Sequence, residues 1–424
     1  MHFVRRAFEF PEPLSKALLA HFFKGENPNI NARRSLAHTL RELWPSLALG
    51  RGQVEKDSTG APIRHYSHSR ACAEAYGAYY LPANAMKLPL ILEEAFSFGL
   101  PLADAGAGPL RWLDVGCGPG TAFWGLAWWA AHRDLKIEYT GLEQSTQFIA
   151  LAEALVPALR GQLPAAALGA RWEIFQHGKT GNVLTEKIRL SKPHVVSFMN
   201  SIGEMAPAPG QRSQWLGEII EALARVAQAG DSDGRSRWLV LVEPGSKAAS
   251  RELLEMRESL RARDDVRVWL PCLSARPCGA LAKPDDWCHE AAEIQFPDWL
   301  VALGADAELR KEAVLFSYLI VSVGAPPMTP AGWPGDGSRV VSQMMKEKGL
   351  THCLLCTGKG KQKARVLNSR QTPDNGRFSE AVRGQVFSQL QLSEKGDVTG
   401  FADYDAATGL DATVFPPLRS NRRS

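Results

Sequence analysis

LDVGCGPG, residues 113–120, closes the apolar run RWLDV and opens directly onto TAFWGLAWWAAHR, whose apolar residues recur at helical spacing. A short strand that ends in glycines and turns at once into a helix lets backbone come close to a ligand. It also aims the unpaired N–H groups of the helix start at that ligand. Gly116, Gly118 and Gly120 give the spacing G-x-G-x-G. This differs from the G-x-G-x-x-G fingerprint that seats a pyrophosphate.

Outward from this turn the text alternates. IEYTGLEQS (137–145) reads as a second strand that ends on an acid, and TQFIALAEALVPALR as a second helix. WEIFQHG is a candidate third strand and HVVSFMNSIGEM a fourth, followed by the helix QWLGEIIEALARVAQ and the fifth strand RWLVLVEPGS. Strands and helices in alternation predict an α/β fold, a doubly wound and mostly parallel sheet with right-handed crossovers. EAVLFSYLIVSVG (312–324) reads as an apolar strand that returns to this sheet. Residues 1–105 read as helices, with FPEPLSKALLAHFF carrying prolines near a helix start and AYGAYYLPANAMKLPLILEEAFSFG interrupted at Pro82 and Pro89. The expected division is a helical N-terminal region (1–105), a Rossmann-like cofactor domain (106–265), a Cys-rich segment whose strands complete the sheet (266–357), and a basic, partly irregular extension (358–424).

The turn and the acid together define a cofactor site. Methyltransferases that use S-adenosylmethionine share the shorter glycine pattern, because they seat a methionyl group and no pyrophosphate, which makes the expected fold class I methyltransferase-like. Glu143, at the end of the second strand, stands where an acidic residue accepts hydrogen bonds from ribose hydroxyls. Asp114, Gly116, Gly118, Gly120, Glu143 and Asn200 are the candidate cofactor-binding residues. Cys117, inside the turn, reads as a small filler rather than a nucleophile. The fourth strand ends in Asn200 and Glu204 without the Asp/Asn-Pro-Pro-aromatic motif that grips a target nitrogen, so no catalytic residue is assigned.

Composition bounds the rest. The chain has 424 residues, 45% apolar and 22% charged, an ordinary globular balance with room for a sizeable core. No apolar run reaches the ~18 residues a membrane span needs. The start MHFVRRAFEF has no long apolar stretch, and Glu9 and Glu12 argue against a transit peptide. Seven cysteines in a long chain fit a reducing compartment, cytoplasmic in expectation, and a monomer is expected. The net charge is only +4, but Lys and Arg gather in GKGKQKAR (358–365), at Arg370, Arg377 and Arg383, and in the terminal RSNRRS. Such clustering is either an electrostatic footprint for phosphates or a solvated tail.

LPCLSARPCGALAKPDDWCHE (270–290) places Cys272, Cys278 and Cys288 within seventeen residues of a Pro- and Gly-rich loop, and Cys356 follows in LLCT. Soft thiolates select zinc or an iron–sulfur centre. The spacing is not the C-x2-C pair of structural zinc sites. His289 reads as a hydrogen-bond donor to a thiolate or a packing group rather than a ligand. His65, Tyr66, His68, Arg70 and Tyr76 form a second polar-aromatic cluster, placed either at the cofactor pocket, against RNA, or simply on a helix surface.

HYSHSRACAEAYGAYYLPANAMKL, LDVGCGPGTAFW, the loop ending DDWCH, FSYLIVS and LLCT occur in this order. Over most of residues 60–357 the chain resembles the methyltransferase-like assembly factors of the small ribosomal subunit, known from mitochondria and bacteria. The resemblance implies a 4Fe-4S cluster held by Cys272, Cys278, Cys288 and Cys356, with structural zinc as the alternative. It also implies binding to small-subunit ribosomal RNA during ribosome biogenesis, and a mitochondrial matrix location if the source is eukaryotic. Leu273, Ser274 and Gly279 depart from the residues usual after the first two cysteines of that family.

Overall fold

In the computed structural model the described residues are 7–48, 69–102, 108–175, 180–205, 212–228, 235–309, 313–324, 327–330, 333–335 and 337–403. The strands are β1 (Ala7–Glu9), β2 (Leu110–Val115), β3 (Ile137–Glu143), β4 (Ala170–Ile174), β5 (Val195–Met199), β6 (Arg237–Pro244), β7 (Val266–Leu270), β8 (Glu290–Gln295), β9 (Val314–Val323), β10 (Ser338–Val340), β11 (Met345–Glu347), β12 (Leu350–Thr357), β13 (Gly360–Leu367), β14 (Val386–Leu392) and β15 (Val398–Asp403). The helices are α1 (Glu12–Phe23), α2 (Ile30–Ala48), α3 (Arg70–Ala85), α4 (Lys87–Ser97), α5 (Thr121–His132), α6 (Thr146–Arg160), α7 (Thr180–Ser191), α8 (Ile202–Met205), α9 (Arg212–Gln228), α10 (Lys247–Arg261), α11 (Asp298–Asp306) and α12 (Pro373–Gly376).

The central sheet runs β1-β8-β9-β6-β5-β2-β3-β4, with β7 also on β9. From β4 to β6 all pairs are parallel; β9 enters antiparallel beside β6. Alternate side chains feed two cores. Trp238, Val240 and Val242 of β6 join one, with α3–α6, while Leu239 and Leu241 join the other, with α9 and α10. A strand buried on both faces reads as a continuous apolar run, as WLVLV does. This is the doubly wound α/β fold expected of the class I methyltransferase type.

β7 and β8 lie in line along one edge of β9. β7 pairs with Ile320–Val323 and β8 with Val314–Phe316. They act as one edge strand interrupted by an excursion of residues 271–289, which leaves the 317–319 stretch of β9 uncovered by a strand on that side.

The N-terminal region is mainly helical, and β1 adds to the sheet edge in parallel with β8. One expectation is corrected. The strands after residue 337 do not complete the central sheet. They form a second, antiparallel sheet, β11-β12-β10-β14-β15 with β13 on β12. Residues 360–403, read as partly irregular, carry three of its strands. Their inward residues (Ala364, Val366, Phe387, Val398) are too few per strand to register as a periodic pattern, yet they close a small core with Cys353, Leu355 and Phe378. His65, Tyr66, His68 and the terminal RSNRRS lie outside the described residues.

α5 is apolar around its circumference because it is buried on all sides, between the sheet and α3 and α4. A Cβ on Gly125 would lie 2.2 Å from the Ala85 carbonyl oxygen and 2.8 Å from Pro89 Cδ. Gly125→Ala is expected to lower unfolding stability in urea by about 1–3 kcal/mol, overpacking outweighing the ~1 kcal/mol that alanine gains in an open helix.

Candidate functional site

The first site opens at the carboxyl ends of β2, β3 and β5, where a doubly wound sheet places its ligand crevice. Gly116, Gly118, Glu143 and Asn200 line it together with Tyr76, Phe148 and Glu204. Gly116, Gly118 and Gly120 have φ of 70°, 55° and 85°. A Cβ on Gly116 would sit 2.6 Å from Ser201 Cβ and 2.8 Å from Met205 Sδ, and one on Gly120 would meet the Trp172 ring at 2.8 Å. Glu143 accepts from the Gly118 N–H at 2.9 Å and the Ser145 N–H at 2.8 Å. Burial raises its carboxyl above the usual range, against the pull of these backbone bonds.

Two expected cofactor residues stand apart from this lining. Gly120 backs onto Trp172, and its role is the turn itself. Asp114 is fully buried at the end of β2, where it accepts from Ser197 Oγ at 2.6 Å and Tyr139 Oη at 2.7 Å; Trp112 Nε1 donates to Ser197 at 2.7 Å. It ties β2, β3 and β5 together beneath the glycine turn. Cys117 is also buried, and burial followed by Glu143 and Asp114 raises its thiol well above the ordinary value, so it is no nucleophile. Tyr76 reaches the pocket, whereas Arg70 is exposed and pairs with Glu74.

Lys87 was not legible from the sequence. It is buried at the start of α4, and its Nζ donates to Asn200 Oδ1 at 3.0 Å. Asn200 holds φ 60°, and its N–H is bonded to the Val242 carbonyl at 2.7 Å.

The second site lies over the uncovered part of β9. Cys272 follows β7, Cys278 sits in the turn, Cys288 precedes β8, and Cys356 arrives from β12 of the other sheet. All four line one cavity, with Tyr318, His289 and Lys361. Among the described residues no group of three or more His, Cys, Asp and Glu is gathered to hold a metal ion. Burial raises the thiols of Cys272 and Cys288, the latter strongly, and pushes Cys356 up to about 12.

α10 splints the excursion. Arg251 Nη1 donates to the carbonyls of Lys283 (2.8 Å) and Asp286 (2.7 Å). Arg257 donates to those of Arg276 (2.7 Å) and Ser274 (2.6 Å), and Glu258 Oε1 accepts the Cys278 N–H at 3.0 Å. From the second sheet, Arg383 Nη1 donates to the His289 carbonyl at 2.8 Å, and Lys361, the cross-strand neighbour of Cys356, ion-pairs with Asp286. Gly279 has a structural reason: a Cβ there would lie 2.5 Å from the Lys361 N. Arg257 Nε and His289 Nδ1 are buried without a hydrogen-bond partner, next to the cysteines. Native proteins rarely leave such groups unmatched, and electron-rich sulfur would match them.

The basic run is divided between two tasks. Lys361 and Arg383 brace the cysteine loop and Arg365 pairs with Asp397 at 2.6 Å, whereas Lys359, Lys363, Arg370 and Arg377 are exposed on the second sheet.

The fold is α/β with a mostly parallel central sheet and a crevice at its strand ends. The family model described as "Mitochondrial small ribosomal subunit Rsm22" matches residues 71–399, and the chain belongs to this Rsm22 family. No curated protein matches it. Solved structures similar to it include a sam-dependent methyltransferase-type protein from Streptococcus mutans (8% identity, 53% of this chain and 47% of that one, TM-score 0.30). Others are the human methyltransferase 10 domain containing protein (11%, 56% and 83%, 0.31) and a SAM-dependent methyltransferase from Geobacter sulfurreducens in complex with S-adenosyl-L-homocysteine (14%, 57% and 93%, 0.29). The chain spans about half the length of the Streptococcus protein.

Burial, opposed by the Ser197 and Tyr139 hydrogen bonds, raises the Asp114 carboxyl to about 6. Unfolded, it ionises near 3.9. Between these values the folded chain binds the extra proton, so this group's contribution to stability falls as pH rises from about 4 to 6, by on the order of 2–3 kcal/mol. Asp114→Asn should remove that fall, seen as a difference between variant and parent in urea unfolding at pH 4, 5, 6 and 7.

Proposed function

We propose that this protein is an assembly factor of the small ribosomal subunit. It binds small-subunit ribosomal RNA, holds S-adenosylmethionine in the pocket at the strand ends, and carries a 4Fe-4S cluster on Cys272, Cys278, Cys288 and Cys356. The observation that carries the reading is the convergence of four cysteines, from an interrupted edge strand and a second sheet, on one cavity beside a methyltransferase-type pocket. Zinc needs its four ligands at one point, with Zn–S near 2.3 Å. A four-iron cluster takes one thiolate on each iron and spreads them around its body, which suits a cavity that four cysteines border. When bound, the cluster supplies a rigid cross-link and a one-electron redox couple.

Gly116 and Gly118 keep the turn open for the cofactor, and Glu143 is placed to receive ribose hydroxyls once it releases the Gly118 N–H. The engagement of Asn200 by Lys87 and the missing Pro-Pro-aromatic motif favour a binding scaffold over a nitrogen methyltransferase. Exposed Lys359, Lys363, Arg370 and Arg377 supply charge for RNA phosphates. We place the protein, as a monomer, where small subunits mature: in the cytoplasm, or in the mitochondrial matrix in a eukaryote.

Anaerobically purified protein is expected to be brown and to contain about four iron and four sulfide per chain. Cys356→Ser should lose most of both, and a colourless protein with stoichiometric zinc would overturn the cluster. Gly116→Ala should weaken S-adenosylmethionine binding at least about tenfold in calorimetry, since a Cβ at a positive φ and 2.6 Å from Ser201 closes the turn. Labelled-methyl transfer to small-subunit RNA, if detected, would replace the scaffold with an enzyme.

A further inference from the structure

We propose that Arg257 and Glu258 of α10 are the charge pair that shapes the cysteine centre and sets its reduction potential, Arg257 being its positioning residue. The inference rests on the cluster reading above. Arg257 is 2% exposed, a cation taken almost wholly out of water. Such a charge costs several kcal/mol unless it is matched. The carboxylate it meets, Glu258, is shared: it also accepts from Arg261 Nε at 3.1 Å and from the Cys278 N–H. Two Arg257 N–H groups are spent on the Ser274 and Arg276 carbonyls, which bend the chain between Cys272 and Cys278. Its Nε–H has no partner. Its hydrogen bonds to the carbonyls of Ser274 and Arg276 hold the guanidinium against the segment between Cys272 and Cys278. Arg339, also within electrostatic reach of Cys272, differs in having two buried carboxylates, Glu94 and Glu290. The buried cation beside the cysteines that has only one, shared, carboxylate is therefore Arg257. Four thiolates on a cluster carry net negative charge, and one-electron reduction adds more. A buried cation at this spot stabilises the reduced form and raises the potential, and the neighbouring carboxylate lowers it.

The test is a dithionite titration of the anaerobic full-length protein, followed by absorption and electron paramagnetic resonance, with iron and sulfide measured in each sample. Arg257→Gln should shift the midpoint to more negative potential. Glu258→Gln, which keeps an oxygen for the Cys278 N–H, should shift it to more positive potential. Arg257→Lys should restore a value near the parent's while losing iron faster to a chelator, because a lysine cannot hold both carbonyls. Should Arg257→Gln fail to fold or load, the opposite sign at Glu258 and the rescue by lysine still decide the matter. Parent-like potentials in Arg257→Gln and Glu258→Gln, or shifts of the same sign, would overturn the inference and leave the cluster standing. Parent protein without iron and sulfide would overturn both.

Discussion

Arg339 is the point on which the arrangement of the two sheets depends. It projects from β10, almost wholly buried, and meets Glu94 of α4 and Glu290 of β8; Glu94 in turn accepts from Tyr318 Oη of β9 at 2.7 Å. Three layers are joined by one guanidinium. A buried pair of this kind adds little net stability compared with apolar packing, but removing one partner is strongly destabilising, so it enforces a unique fit. The consequence is local and chemical. Arg339 is the cross-strand neighbour of Cys356, so the contact that docks the second sheet also delivers the fourth cysteine.

The other three cysteines follow from an interruption. One edge strand along β9 is broken between Leu270 and Glu290, and the chain between leaves the sheet and returns. An irregular loop of that length is held only by satisfying its backbone elsewhere. α10 does this with Arg251, Arg257 and Glu258, side chains that a helix surface would otherwise show to water. Ser317 Oγ, from the uncovered part of β9, donates to the Cys288 carbonyl at 2.9 Å. The centre is thus built from a gap in the sheet, a helical splint and a strand from outside.

The methyltransferase-type pocket is organised differently. Its floor is the Asp114 network linking three parallel strands, and its wall is a glycine turn with no room for side chains at Gly116 and Gly120. Both belong to binding. At its rim, buried Lys87 donates to Asn200 Oδ1 at 3.0 Å, fixing that carboxamide beside the glycine turn.

Much of this was legible in the chain. The alternation from RWLDV to RWLVLVEP marked the parallel sheet, because strands buried on both faces leave unbroken apolar runs. LDVGCGPG and Glu143 marked the pocket, because only glycine tolerates that turn. The cysteines identified themselves by chemistry. Asp114 was misread as a pocket residue, since a carboxylate one residue from the turn looks the same whether it faces ligand or core. The strands beyond residue 360 escaped because each buries only one or two side chains. The sequence by itself determined the sheet and the turn, which rest on local periodicity and residue type. Only the tertiary structure decided that Cys356 lines the same cavity as the other three, that Arg257 bonds the carbonyls between Cys272 and Cys278 and that Lys87 donates to Asn200. Those contacts join residues from 17 to 113 positions apart, and a linear pattern carries no record of which buried charge will meet which partner.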